Sequence, residues 1–480
     1  MTARTVIIGA GANELVAAHL LARAGSSVAV LDPAESGANG AAEPGWVAPQ
    51  IVRALDLDRH GLQISRPDPW IALAVAPGER LELWNDVARS AESVRRFSPN
   101  DAARWPEFCE RMARLARALE SIAMQPPPDP VGEGFEAIAD VLGLSLRMRR
   151  MGRTGVEDLL RIVPMPIADL LDDWFESDAL KGALAGAGIL HLRQGPRAGG
   201  TSLNFLQHHA GCAPGVFRPA ASNLRHVLAQ IPGIEIRRGV PIARIQVSEG
   251  RAAGVVLANG EEIPASLVLS GADPRRTLLE WVDPAWLEPE FIQVLRGIRS
   301  RGVVAQAMFE LDREPGFSTL AIAPSLDYLE KAYDDVKYGR VSQQPYVEAR
   351  VEGRKVHAHV QYVPNKGLDA AAREALAELV IRTIDAHQPG FGGSAIGKAV
   401  SLPEDLQKLY GWPEGQMHHA EPALDQWLWM RPTPELARYR TPIAGLYLCG
   451  PAMHPGGWFS GACGYLGAQQ VLKDGPPATS

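Results

Sequence analysis

Apolar and polar positions fall along this chain in blocks that translate into elements. Thr5-Val6-Ile7-Ile8 is a short apolar run ahead of a glycine turn, the pattern of a buried parallel strand. Asn13 to Ala24 has helical spacing with Gly25 as its stop, and Val28-Ala29-Val30-Leu31 closed by Asp32 predicts a second strand. From about residue 88 to 190, residues such as Phe108, Met112, Leu115, Leu119 and Ile122 recur at three- and four-residue spacing and predict a mostly helical region. Pro126-Pro127-Pro128-Asp129-Pro130 interrupts it as a surface linker, because successive prolines neither donate nor continue a helix. Residues 234–269 read as strands with Asn259-Gly260 as a hairpin signal. Further strands are expected at 302–310, 346–351 and 355–363, and a helix at 368–387. Gly445 to Gly450 repeats the strand-then-glycine pattern ahead of a helix around 461–473.

Strand, glycine turn and helix at both ends predict an α/β fold: a Rossmann-type nucleotide-binding domain assembled from discontinuous segments, with an α+β substrate domain inserted. The nucleotide-binding segments are expected at 1–75, 215–290 and 435–480. The helical part of the substrate domain falls at 76–214 and its strand-rich part at 291–434. A length of 480 residues exceeds what one hydrophobic core organises.

Composition narrows the function classes. With 46% hydrophobic and 21% charged residues and no run of about 18 apolar ones, a soluble chain without a transmembrane segment is expected. Met1-Thr2-Ala3-Arg4 enters the first strand with no signal-peptide pattern, so a cytoplasmic location is expected. A net charge of -7 provides no basic footprint for nucleic acid. The one basic run, Arg147 to Arg153, is a solvated helix face or a peripheral membrane contact. Cys109, Cys212, Cys449 and Cys463 lack paired spacing and read as packed thiols. His208-His209 has no third ligand at suitable spacing, so no metal is expected, and Asp172-Asp173 reads as a solvated helix face.

The opening βαβ unit carries chemistry. Gly9 makes the tight turn, Gly11 lets backbone approach a pyrophosphate, and the helix N-terminus attracts an anion. Asp32 stands where a carboxylate accepts hydrogen bonds from an adenosine ribose.

A series of motifs extends the reading over nearly the whole chain. Gly9-Ala10-Gly11-x-Asn13-x-Leu15-Val16-Ala17-Ala18 is followed by Pro49-Gln50-Ile51-Val52-Arg53 and Arg59-His60-Gly61-Leu62. Later come Ser270-Gly271-Ala272-Asp273-Pro274-Arg275, Asp425-Gln426, Arg431-Pro432, Tyr439-Arg440-Thr441-Pro442 and His454-Pro455-Gly456-Gly457. In these the chain resembles the phytoene desaturase-like and pyridine nucleotide-disulfide oxidoreductase domain-containing flavoproteins of the amine oxidase superfamily. The resemblance implies non-covalent FAD: its nucleotide end at Gly9, Gly11, Asn13, Glu14 and Asp32, adenine near Ile242, and the flavin end under Gly450, Gly457, Phe459 and Gly461. It places His454 and Trp458 beside the reacting ring.

The sequence also departs from the pattern. The third glycine of the fingerprint is Glu14, which would oppose the pyrophosphate charge. The glycine-rich helix start expected near 220 reads Pro219-Ala220-Ala221-Ser222-Asn223, Pro451 removes an N–H, and Trp458 stands where only hydrogen allows close approach of a flavin. Cys463 replaces a proline, which raises a thioether to flavin beside the reading of a packed thiol. Two functions follow. One is an FAD-dependent oxidoreductase moving a hydride from a small-molecule substrate C–H bond. The alternative lacks FAD and is a non-catalytic scaffold or partner, paired with a homologous flavoprotein or with itself. An NAD-only dehydrogenase leaves the C-terminal glycine turn without a role.

Overall fold

The computed structural model describes residues 4–34, 43–129 and 135–475. Five short strands far apart in sequence assemble into one parallel sheet: Leu446–Leu448, Leu267–Ser270, Arg4–Ile8, Ser27–Asp32 and Glu235–Arg238, in that spatial order. Its central strands are apolar on both faces because both faces are covered. Ile7 points into the core shared with helix Ala12–Arg23, whereas Val6 and Ile8 face a second core with Val255 and Ile263. Those two residues belong to an antiparallel meander of Ile242–Ser248, Arg251–Leu257 and Glu262–Pro264, closed by the predicted turn at Gly260. The fold is a Rossmann-type domain built from separate segments, with an inserted α+β region.

The C-terminal helix Ala462–Asp474 crosses the first helix so closely that a side chain at Gly464 would overlap the Asn13 carbonyl. The last segment is thereby locked onto the first turn, where the cofactor site is expected.

The inserted region centres on a seven-stranded sheet, in the order Ala395–Ser401, Val304–Leu311, Lys355–Gln361, Tyr346–Glu352, Thr319–Ile322, Ile71–Ala76 and Glu79–Leu83. Helix Ala370–Asp385 covers one face through Leu376, Val380 and Ile384. A helical layer contains Val87–Arg95, Pro99–Ala123, Phe135–Arg150, Gly152–Ile162, Ile167–Trp174, Asp178–Ile189 and Thr201–His209. Pro126 to Asp129 link two of these helices without regular structure, and Pro130 lies outside the described residues. The hairpin at 71–83 was not legible in sequence. Its Ile71–Ala76 strand pairs with Thr319–Ile322, almost 250 residues away, at Leu73 opposite Ala321. Among the described residues no helix is long and apolar enough to cross a membrane.

Candidate cofactor site

The first strand ends at Ile8 and the helix starts at Ala12, leaving Gly9-Ala10-Gly11 as the turn. Gly9 has φ of 102°, a conformation that favours glycine. With Gly271, at the end of the neighbouring strand, Gly9 and Gly11 make a cradle of bare backbone beside the helix N-terminus. The Glu14 side chain lies in that cradle. A Cβ on Gly11 would stand 2.5 Å from Glu14 Oε2, one on Gly9 3.2 Å from its Cγ, and one on Gly271 would overlap the carboxylate outright. Glu14 is in the first helical turn and only 5% exposed, so its carboxyl occupies the place beside the helix N-terminus that a bound phosphate otherwise takes.

Asp32 is buried at the end of the second strand. Its Oδ1 accepts from the Ala34 amide at 3.2 Å, while Oδ2 accepts no hydrogen bond among the described residues. Arg225 approaches it to 4.0 Å and donates from Nε to the Ala10 carbonyl at 2.8 Å, bridging the acid and the glycine turn. The Val240 amide donates to the Asp32 carbonyl at 3.2 Å, which brings partly buried Ile242, at the start of the next strand, to the same side.

At the other end, the strand Leu446–Leu448 runs into Gly450, which packs so tightly on the Gly271 carbonyl that no side chain would fit. Trp458 is buried and donates from Nε1 to Asn204 Oδ1 at 3.0 Å. Its indole is ringed by imidazoles: His208 perpendicular at 3.9 Å, His418 at 4.5 Å and His191 at 5.7 Å between centroids. The His418 ring lies over Gly457 and fills the space a side chain there would need. Phe459 meets Trp46 edge-on at 5.9 Å, and the Trp46 amide donates to the Trp458 carbonyl at 2.8 Å. Gly461, with φ of 77°, caps the last helix against Val16.

Sequence reasoning anticipated Trp458, Gly457, Phe459 and Gly461 as neighbours but missed His191, His208, His418, Asn204 and Arg225. Asn204 and His208 lie one turn apart on helix Thr201–His209 and the others come from separate segments, and no local motif joins them to the glycine turn. His454 sits apart from the indole: burial lowers its pKa to about 4, and its ring faces the carbonyls of Ile122, Ala123 and Gln125 at a helix end. Its own carbonyl accepts from the Tyr439 hydroxyl at 3.0 Å. Burial likewise holds His191, His208 and His418 well below the ordinary value, so these three imidazoles are uncharged near neutral pH. His209 turns away from His208 and donates from Nδ1 to the Val216 carbonyl at 2.5 Å. Among the described residues no group of three or more His, Cys, Asp or Glu is arranged to hold a metal.

Cys463 donates to the Met453 carbonyl at 3.4 Å, and burial pushes its thiol up to about 12, so it lacks the thiolate a thioether would require. Arg431, 2% exposed, fixes the turn by donating to six carbonyls, among them Pro451 at 2.9 Å and Met453 at 3.1 Å. Beyond the imidazoles, Arg218 pairs with Glu348, which also accepts from the Tyr346 hydroxyl. Burial alone would raise Glu348, but the Arg218 charge and these hydrogen bonds overcome it and hold the carboxyl at about 2.

Residues 174–472 match the family described as flavin containing amine oxidoreductase. The chain belongs to this family. It is 30% identical to pyridine nucleotide-disulfide oxidoreductase domain-containing protein 2 of Rattus norvegicus, over 98% of this chain and 93% of that one. It is 24% identical to one of the subunits of limonene dehydrogenase from Castellaniella defragrans and 23% identical to the neurosporene-forming phytoene desaturase of Rhodobacter capsulatus, each over 98% of this chain and 94% of the relative. Among solved structures, a putrescine oxidase triple mutant redesigned in cofactor binding has a TM-score of 0.59 at 13% identity, covering 98% of both chains. An oxidoreductase from Methanosarcina mazei has a TM-score of 0.58 at 15% identity, covering 98% of this chain and 100% of that one. These two likenesses establish the fold.

A flavin is the cofactor this amine oxidoreductase family implies, and the residues present do not fit it in this arrangement. The pyrophosphate cradle holds a carboxylate of the same charge sign. At the flavin end, a backbone hydrogen bond joins residues 46 and 458, and His418 covers Gly457.

Proposed function

We propose that this chain is a flavin-free member of its family that serves as the non-catalytic partner of an active relative. The observation that carries the reading is the burial of the Glu14 carboxylate among Gly9, Gly11 and Gly271. The side chain fills the cradle and leaves a pyrophosphate no uncontested place there. Arg431, with its six carbonyl bonds, holds the turn after the last strand as part of the fold rather than as part of a ligand site. One relative, from limonene dehydrogenase, is by name one part of a larger enzyme, which supports a role within an assembly.

Flavin titration followed by desalting tests the reading. The wild-type chain is expected to stay colourless, whereas Glu14→Gly removes both the charge and the obstruction and is expected to retain more FAD. A visible flavin band in the wild-type protein would overturn the proposal. It would favour a second reading, an FAD-dependent oxidoreductase of unnamed substrate, for which the unsatisfied Asp32 Oδ2 is the supporting observation.

A further inference from the structure

Helix Phe135–Arg150 presents an outer row that the rest of the fold leaves uncovered. Ile138, Leu142 and Leu146 are 58%, 57% and 57% exposed, and the four-residue step continues to Arg150. Residues four apart lie one above another on a helix, so this is one stripe, apolar for three steps and cationic at the fourth. Val141 widens the apolar part, and Arg149 and Arg153 flank the cationic end. On the inner side an ion pair between Arg438 and Asp140 ties the helix to the body, which fixes the face turned outward.

Arg150 also lines a cavity of about 480 Å³ between this helix and Pro99–Ala123. Arg114, Arg117 and Arg147 line it too, with Gln50, Ser121 and Gln125 as further polar groups. Arg117, Arg147 and Arg150 have no ion-pair partner among the described residues, and Arg114 has Glu110 at 3.6 Å on the exposed side. Four arginines and no acid line the cavity, in a chain whose net charge is -7.

We infer that this face docks on an anionic phospholipid bilayer, with lipid phosphates held in the arginine cavity and Ile138, Leu142 and Leu146 in the acyl boundary. A protein partner would need to match an apolar stripe and a four-arginine cavity side by side, and an anionic bilayer offers an acyl layer next to a phosphate layer. The inference is independent of whether the chain holds a flavin.

Co-sedimentation of the full chain with vesicles tests it. Binding to phosphatidylcholine containing about three-tenths phosphatidylglycerol is expected to exceed binding to phosphatidylcholine alone by at least about tenfold. Arg147→Gln with Arg150→Gln should remove that preference, and Leu142→Ser with Leu146→Ser should weaken binding at unchanged charge. All four sites lie at the surface or cavity rim, and circular dichroism confirms that both variants fold. Equal binding to both vesicles, no binding, or a leucine variant that binds like the wild type would each overturn the inference. So would displacement by inorganic phosphate at the concentration of lipid phosphate, which would mark a soluble-anion site. Loss of a dimer in the leucine variant without lipid would instead assign the stripe to a second copy of the chain.

Discussion

Trp458 shows what a single residue does in this site. Its indole fills the space between three imidazoles and gives its one N–H to Asn204, which itself donates to the carbonyls of Ala187, Gly188 and Leu190. Trp458→Ala would leave a cavity and an unpaired acceptor, so a loss of about 3–5 kcal/mol is expected in urea denaturation. The thiols predict a second outcome. Burial pushes Cys463 and Cys212 up to about 12, so both should resist alkylation near pH 8 in the native chain and react once it is denatured. Glu14 was legible as a departure from the glycine fingerprint, but where its side chain goes was not. That depends on Gly271, some 250 residues later in the chain.

At the scale of elements, the strands and helices followed from local pattern wherever the burial period was regular. The long helix through Phe108 and Leu119 has one face of steady apolar spacing, whereas the first and terminal helices are buried round most of their circumference and were marked instead by the glycine turns that precede them. Ser98 caps Pro99–Ala123, accepting from the Asp101 amide at 3.0 Å and donating to Glu176 at 2.8 Å. Ser98→Ala is therefore expected to cost about 1 kcal/mol, read as a lower melting temperature. The 71–83 hairpin lacked such a signal, since its strands are short and one is stabilised by a partner supplied from residues 319–322.

At the scale of the whole molecule the histidines set the pH response: buried His208, His209, His418, His419 and His454 and half-buried His191 and His359 all have pKa values lowered by burial. Above the ordinary value of 6.5 both folded and unfolded chains leave them neutral, and they contribute nothing to pH dependence. Below 6.5 the unfolded chain binds protons that the folded one refuses, so stability falls until the folded values are reached, about 4 for His209 and His454 and about 3 for His419. One unit below 6.5 each such group costs about 1 kcal/mol, and a steep drop in denaturation midpoint between pH 7 and 5 is expected. Glu348 adds to the loss only lower, as pH falls from 4.5 toward its folded value of about 2. Asp273 and Glu120 are raised by burial and act in the opposite sense, easing folding as they are protonated. A flat stability profile through this range would show that the imidazoles reach water.

The amino-acid sequence alone determined the class of fold, the turn residues that demand glycine and the place where the fingerprint fails. Those features rest on interactions between near neighbours or on the period of burial, which a linear pattern records. Only the tertiary structure decided that Glu14 fills the cradle, that Trp46 is bonded across to Trp458, and that His191, His208 and His418 gather round one indole. Each of these joins segments at least about 200 residues apart, Glu14 with Gly271, Trp46 with Trp458, and His191 and His208 with His418 and Trp458, and their contact is fixed by how sheets and helices pack, which no local spacing encodes.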